Sequence, residues 1–120
     1  MTAPRRRPPA IEIVPAQGGE TFYRLLRGRR PEARDLYSAR ELGRRAPSRT
    51  LWVVFVGVSM FDSPEGALAV ARRRPAIVAQ VALPAGRGVS YARTAGQGHY
   101  TIWGAPEDLL AAVVDVMRHP

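Results

Sequence analysis

The chain of 120 residues contains no cysteine, no lysine and no asparagine, and only two histidines. The absence of cysteine excludes a disulfide framework and a thiolate metal site. His99 and His119 fall short of the ligand sets that hold zinc, and His119 belongs to the terminal dipeptide. No apolar run approaches the length of about 20 residues that crosses a bilayer. We therefore expect no bound metal and no membrane partner.

The N-terminus also lacks an apolar run of signal-peptide length. Three arginines at residues 5–7 are followed by Pro8 and Pro9, which do not fit a secretory leader. A chain of this length forms one domain with a small core. We therefore predict a soluble, cytoplasmic protein.

The net charge is strongly positive, and the charged residues are unevenly distributed along the chain. All 18 basic side chains are arginine and the net charge is +8; residues 1–49 hold 12 arginines against 5 acids, whereas residues 50–120 hold 6 against 5. One interpretation is the arginine enrichment of a GC-rich bacterial genome, with the side chains solvated. The other is a surface for an anionic partner, such as nucleic acid or an acidic protein. Under that interpretation the candidate anion-binding residues are Arg29, Arg30, Arg44 and Arg45.

The pattern along the chain predicts a Pro- and Arg-rich disordered tail over residues 1–18 and a single α+β domain over residues 19–118. Within the tail, residues 11–14 have the pattern of a short edge strand. We expect a small mixed or antiparallel sheet of about five to six strands with two or three short helices. The predicted strands are residues 21–26, 51–56, 76–83, 89–93 and 99–103, and the helices begin near residues 31, 63 and 106. Residues 113–117 fit either a strand or a continued helix.

Residues 51–83 carry the strongest structural signal. Residues 51–56 form a continuous apolar run, which is typical of a strand buried on both faces. Asp62 or Ser63 can then cap a helix that has Pro64 in its first turn. Arg72–Arg74 would close that helix, since cations offset the dipole at a helix C-terminus.

Three polar residues occupy positions where apolar ones are expected. Arg24 lies within a strand, Ser59 interrupts an apolar run, and His99 begins an aromatic strand. A buried arginine needs an acid or an anionic ligand as its partner, whereas an arginine on an edge strand can point outward. Ser59, His99 and Asp108 supply the residue types of a hydrolase triad, but the G-x-S-x-G elbow is missing.

The order of these segments resembles that of small bacterial ADP-ribosyltransferase-like domains. The resemblance rests on Tyr23-Arg24 in the first strand, on residues 57–61 followed by an alanine-rich helix, and on a strand ending in a turn at residues 84–86. It implies a split sandwich that binds NAD and transfers ADP-ribose, as an active transferase or as a catalytically degenerate member. The alternative function is a non-enzymatic module that binds nucleic acid or an acidic protein through the Arg-rich N-terminal region.

The resemblance also implies roles for particular side chains. Arg24 would grip NAD, or another nucleotide or small anion, through the pyrophosphate or ribose, and Ser59 would shape the nicotinamide pocket. A late acid in the family orients the ribose, and the nearest residues here belong to the last predicted strand and helix. The implied cofactor-binding residues are Arg24, Tyr23, Ser59 and Tyr100, and the implied catalytic residues are His99 and Glu107.

Overall fold

The computed structural model of the protein describes residues 11–45 and 52–120. These residues form seven strands, three short α-helices and one 3₁₀ helix. The strands are β1 (Val14–Pro15), β2 (Thr21–Leu26), β3 (Val58–Phe61), β4 (Ala76–Ala82), β5 (Ser90–Arg93), β6 (His99–Trp103) and β7 (Val113–His119). The helices are α1 (Trp52–Phe55), α2 (Pro64–Ala69) and α3 (Pro106–Ala111), and the 3₁₀ helix is Ala33–Leu36.

The strands form one open sheet in the order β1-β5-β6-β3-β2-β4-β7, and every neighbouring pair is antiparallel. The core lies on one face of the sheet, where Leu36 of the 3₁₀ helix and Leu109 of α3 pack with Phe22, Met60 and Ile102. Helix α2 connects β3 to β4 and contacts both strands and β2 between them. The sheet is therefore covered by helical segments on both faces.

The sheet is weakest between β2 and β3. Strand β2 pairs with β4 over its whole length, from Thr21 opposite Ala82 to Leu26 opposite Ile77. With β3 it shares a single pair, Tyr23 opposite Phe61, and both strands lie wholly within the described residues. The C-terminal half of β2 and the N-terminal half of β3 therefore separate. We call this gap the sheet opening.

Alternation along the strands divides the predicted site residues between two faces. Arg24 shares the core face with Phe22, and Tyr100, which stacks on Phe22 at a ring distance of 4.9 Å, lies there too. Tyr23 shares the opposite face with the side chains of Phe61 and His99. The sheet itself therefore separates residues that the family resemblance placed in one pocket.

Most of the predicted strands are confirmed. Strands β2 and β6 have the predicted bounds, and β4 and β5 match within one residue. Helix α2 begins as predicted, because the hydroxyl of Ser63 accepts the N–H of Gly66 at 3.1 Å and Pro64 occupies the first turn. Residues 113–119 form a strand that pairs with β4, which settles the alternative left open for this segment.

The predicted strand over residues 51–56 is wrong. Residue 51 lies outside the described residues, and Trp52–Phe55 forms one helical turn that ends before Gly57. Tertiary contacts override the strand propensity of this run, because the indole N–H of Trp103 donates to the carbonyl of Val53 at 2.7 Å. The guanidinium of Arg40 also lies 4.9 Å above the Trp52 ring.

Two further expectations are corrected. The sheet has seven strands rather than five or six, because β3 replaces the wrongly predicted strand over residues 51–56, and β1 and β7 add an edge on each side of the sheet. Helix α2 ends at Ala69, with Val70 as its C-cap, so the arginines at residues 72–74 lie beyond the helix and do not offset its dipole.

The N-terminal segment is described in part. Residues 1–10 of the predicted tail lie outside the described residues. Val14 and Pro15 form the short edge strand, which shares only Val14 with the predicted strand over residues 11–14. They pair with β5, and the N–H of Ala16 donates to the carbonyl of Val89 at 2.8 Å. No helix in the described part of the chain is long and apolar enough to span a membrane.

Candidate functional site

Arg24 crosses the sheet opening. Its Nε donates to the carbonyl of Asp35 at 2.9 Å and its Nη1 donates to the carbonyl of Ser59 at 3.0 Å. Burial lowers the pKa of Arg24, and the negative charge of Asp35 acts in the opposite direction. Since β2 lies between β3 and β4, Arg24 is not on an edge strand. The inward orientation is therefore the one observed, with carbonyl oxygens as partners.

Asp35 is a structural residue that our sequence reasoning missed. It is only 4% exposed, and its carboxylate accepts the N–H of Glu32 at 2.9 Å and the N–H of Arg27 at 3.0 Å. These bonds cap the 3₁₀ helix and tie it to the chain that leaves β2. The spacing of Glu32 and Asp35, three residues apart after Pro31, was the available signal. Asp35 thereby fixes the backbone that holds Arg24.

A cavity of about 310 Å³ lies beside Arg24 at the sheet opening. Its polar lining comes from Arg24, Tyr37, Arg44 and Arg45, and residues 57–59 contribute backbone and apolar surface. No acidic side chain is among the described residues that line it. We call it the Arg24 cavity. Its three guanidinium groups favour an anion, and the Tyr37 ring provides a surface on which a planar group can pack.

A larger cavity of about 630 Å³ opens at the same end of the sheet. Leu42 and Arg44 line both cavities, so the two adjoin. Its floor includes apolar residues from the end of β2 and the start of β4. We call it the arginine cavity, because it is lined by Arg27, Arg34, Arg44, Arg72 and Arg73. Sequence reasoning assigned residues 72 and 73 to a helix end and so missed their part in this cavity.

Ser59 and His99 are joined on the other face of the sheet. His99 Nε2 lies 3.1 Å from the Ser59 hydroxyl, and Nδ1 lies 2.9 Å from the hydroxyl of Thr94. Thr94 in turn bonds to Thr101 at 2.8 Å. These bonds join β3, β6 and the turn between β5 and β6. Because a threonine rather than Asp108 contacts Nδ1, the serine, histidine and aspartate do not form a triad.

The remaining predicted residues lie apart from the Arg24 cavity. Tyr100 packs against Phe22 and Tyr91 at ring distances of 4.9 and 6.4 Å. Glu107 is exposed in the first turn of α3. Tyr23, His99, Tyr100 and Glu107 are absent from the described residues that line either cavity.

The four predicted anion-binding arginines also separate into two groups. Arg44 lines both cavities and Arg45 lines the Arg24 cavity. Arg29 and Arg30 are exposed in the turn after β2 and are not among the described lining residues of either. The structure therefore brings Arg24, Arg44 and Arg45 together with the main chain of Ser59.

The described residues contain no group of three or more His, Asp or Glu side chains placed to hold a metal ion. Comparisons of this chain with protein-family models, with curated proteins and with solved structures find no match.

Proposed function

We propose that the protein binds a nucleotide, with NAD as the leading ligand, in the Arg24 cavity. The observation that carries this proposal is the position of Arg24, whose guanidinium spans the sheet opening next to Arg44 and Arg45. Phosphate oxygens are suitable partners for such a cluster, because guanidinium groups bind them through paired hydrogen bonds.

The shape and lining of the Arg24 cavity support a ligand with both an anionic and a planar part. A volume of about 310 Å³ is at the lower end of small-molecule sites. Tyr37 supplies aromatic surface, and Val54 adds aliphatic surface. A base or nicotinamide ring can pack on these residues while the arginines contact phosphate. This arrangement agrees with the role that the family resemblance implies for Arg24.

Binding is tested by the melting temperature and by calorimetric titration with NAD, ADP and free nicotinamide. A ligand that binds only the folded state raises the melting temperature by mass action, so the rise should grow with NAD concentration. ADP should give a comparable rise, because it carries the same two phosphates, and nicotinamide should give the smallest, because the phosphates supply most of the attraction. No change at millimolar NAD and ADP would refute the proposal.

The informative variant is Arg45→Gln rather than a change at Arg24. Arg45 is exposed, so its loss should leave the fold intact while weakening NAD binding by about tenfold, the value of one charged hydrogen bond. Arg87→Gln is the matched control, since Arg87 is exposed and is absent from the described lining of both cavities. Equal weakening by both variants would point to general electrostatic attraction.

Transfer of ADP-ribose is a separate part of the proposal and is measured as nicotinamide released from NAD. Because His99 and Glu107 are not among the described residues that line the Arg24 cavity, release should be unchanged in His99→Gln and Glu107→Gln; a fall in a variant of unchanged stability would support the catalytic roles that the resemblance implies. NAD binding without release would identify a catalytically degenerate domain. In either case the binding proposal is judged by the titration and the melting temperature, and not by nicotinamide release.

The alternative function is binding of nucleic acid or an acidic protein through the Arg-rich region. The observation that favours it is the exposure of Arg29 and Arg30 in the turn after β2, where their side chains are available to a large partner. Such binding should weaken steeply with salt, because phosphate contacts release counterions. It should also be lost in Arg29→Gln/Arg30→Gln while NAD binding is retained.

A further inference from the structure

Five arginines from separate parts of the chain converge on the arginine cavity. Arg27 follows β2, Arg34 belongs to the 3₁₀ helix and Arg44 lies in the segment after it. Arg72 and Arg73 come from the segment between α2 and β4. All five side chains are exposed, and no acidic residue is among the described residues that line the cavity.

This convergence has an electrostatic cost. The charges of Arg27 and Arg44 lie close enough to Arg24 to lower its pKa further. Like charges around one hollow repel one another, and the repulsion is relieved when an anion enters. The arrangement therefore favours a ligand with several negative charges over a neutral or singly charged one.

The rest of the lining indicates what kind of anion fits. Leu25, Leu26 and Ile77 give the cavity an apolar part, and no aromatic side chain is among its described lining residues. Single-stranded nucleic acids are held largely by base stacking on aromatic rings, so that mode of binding is disfavoured. A volume of about 630 Å³ instead suits a small molecule.

We propose that the arginine cavity is a second anion site, which binds a compact ligand carrying two or more phosphate groups. Several arginines that can each bind two phosphate oxygens match closely spaced phosphates better than one isolated phosphate. The proposal does not depend on nucleotide binding in the Arg24 cavity, because four of the five arginines line only the larger cavity.

The experiment is a calorimetric titration of the full chain with inorganic tripolyphosphate and, separately, with inorganic phosphate. The tightest tripolyphosphate site should have a stoichiometry of one per chain and should bind at least tenfold more tightly than phosphate does. The variant Arg72→Gln/Arg73→Gln should weaken tripolyphosphate binding by about tenfold or more, because each charged contact is worth about that factor. Both residues are exposed beyond the end of α2, so the fold should be retained.

The control is Arg87→Gln/Arg93→Gln, which removes the same charge from exposed positions outside both described linings. It should change tripolyphosphate binding by less than about twofold at 0.15 M salt, where distant charges are screened. Arg45→Gln should likewise leave it unchanged, although it weakens NAD binding. Failure of one proposal is thus distinguishable from failure of the other.

Three results would overturn the inference. The first is no binding of tripolyphosphate at low salt. The second is equal weakening by the two double variants, which would mean that the overall charge attracts the ligand. The third is binding of a 15-residue oligothymidylate that is weakened by Arg72→Gln/Arg73→Gln more than tripolyphosphate binding is. That result would make nucleic acid the occupant.

Discussion

The two cavities at the end of the sheet are both basic, but they hold their charge in different ways. In the Arg24 cavity the guanidinium of Arg24 is partly buried and held by carbonyl oxygens on two other segments. In the arginine cavity all five guanidinium groups are exposed. An arginine held by the backbone supports the fold as well as the site, whereas the exposed arginines can be removed with little effect on folding. Substitution of Arg24 should therefore lower the stability of the fold, whereas substitution of the exposed arginines should weaken anion binding.

The largest loss of stability is expected for a substitution at Gly57, which lies in the wall of the Arg24 cavity. A Cβ at this position would overlap Thr101 Cγ2 and lie 2.9 Å from Trp103 Nε1 and 3.2 Å from the Ile102 carbonyl. We expect Gly57→Ala to lower the free energy of unfolding by about 3 kcal/mol, the upper end of the cost of overpacking. Urea denaturation measures this change.

Gly28→Ala is the matched control for Gly57, because nothing lies within 4 Å of a Cβ added at Gly28. It should change stability by less than about 0.5 kcal/mol. Tripolyphosphate binding per folded molecule should be the same in both variants. A large loss of tripolyphosphate binding in Gly57→Ala would show that the two cavities are one site.

The next largest effect on stability distinguishes Arg24, which is held by backbone carbonyls, from the exposed Arg27. Arg24→Met removes both donors to the carbonyls of Asp35 and Ser59, so we expect a loss of about 2 kcal/mol in the free energy of unfolding. Arg27→Met should cost less than about 0.5 kcal/mol, since Arg27 is exposed, but should weaken tripolyphosphate binding. Equal stability of the two variants would contradict the structural role given to Arg24.

The smallest effect on stability is expected for Glu20, which lies just before β2. Its substitution should leave both cavities unaffected. The carboxylate of Glu20 accepts the N–H groups of Gln17 at 2.9 Å and Gly18 at 2.8 Å, and these bonds lower its pKa, the Gln17 bond most. The folded pKa is then below the unfolded value of about 4.3. The stabilisation from Glu20 is therefore present above that pH and is lost as pH falls through the folded pKa.

The test for Glu20 compares the melting temperature of the wild type and Glu20→Gln between pH 6 and pH 3. The wild type should lose more of its melting temperature over this range than the variant, because only the wild type takes up a proton at this position on unfolding. Parallel curves would contradict the prediction. Tripolyphosphate affinity at neutral pH should be unchanged by the substitution.

Local patterns sufficed for the regular parts of the fold. The alternation in residues 21–26 and 99–103 predicts β2 and β6 with their observed bounds. Ser63 and Pro64 predict the start of α2, because capping depends only on neighbouring residues. These features could be predicted since the interactions that form them lie within a few residues of one another.

The irregular segments could not be predicted in this way. The β-branched run before Gly57 becomes a helical turn because Trp103, some 50 residues away in sequence, donates a hydrogen bond to Val53. The buried position of Asp35 likewise depends on where the end of β2 lies. Local propensity contains no information about such partners.

The amino-acid sequence alone was enough to predict the α+β character, strands β2, β4, β5 and β6, the start of α2 and the surplus of arginine in the first half of the chain. The bridge that Arg24 makes across the sheet opening depends on long-range packing. So does the cavity that Arg72 and Arg73 share with three other arginines, which are Arg27, Arg34 and Arg44. Regular secondary structure depends mainly on residues that are close together in the sequence. A binding site requires residues brought together from distant segments, and their positions follow from the strand order of the sheet.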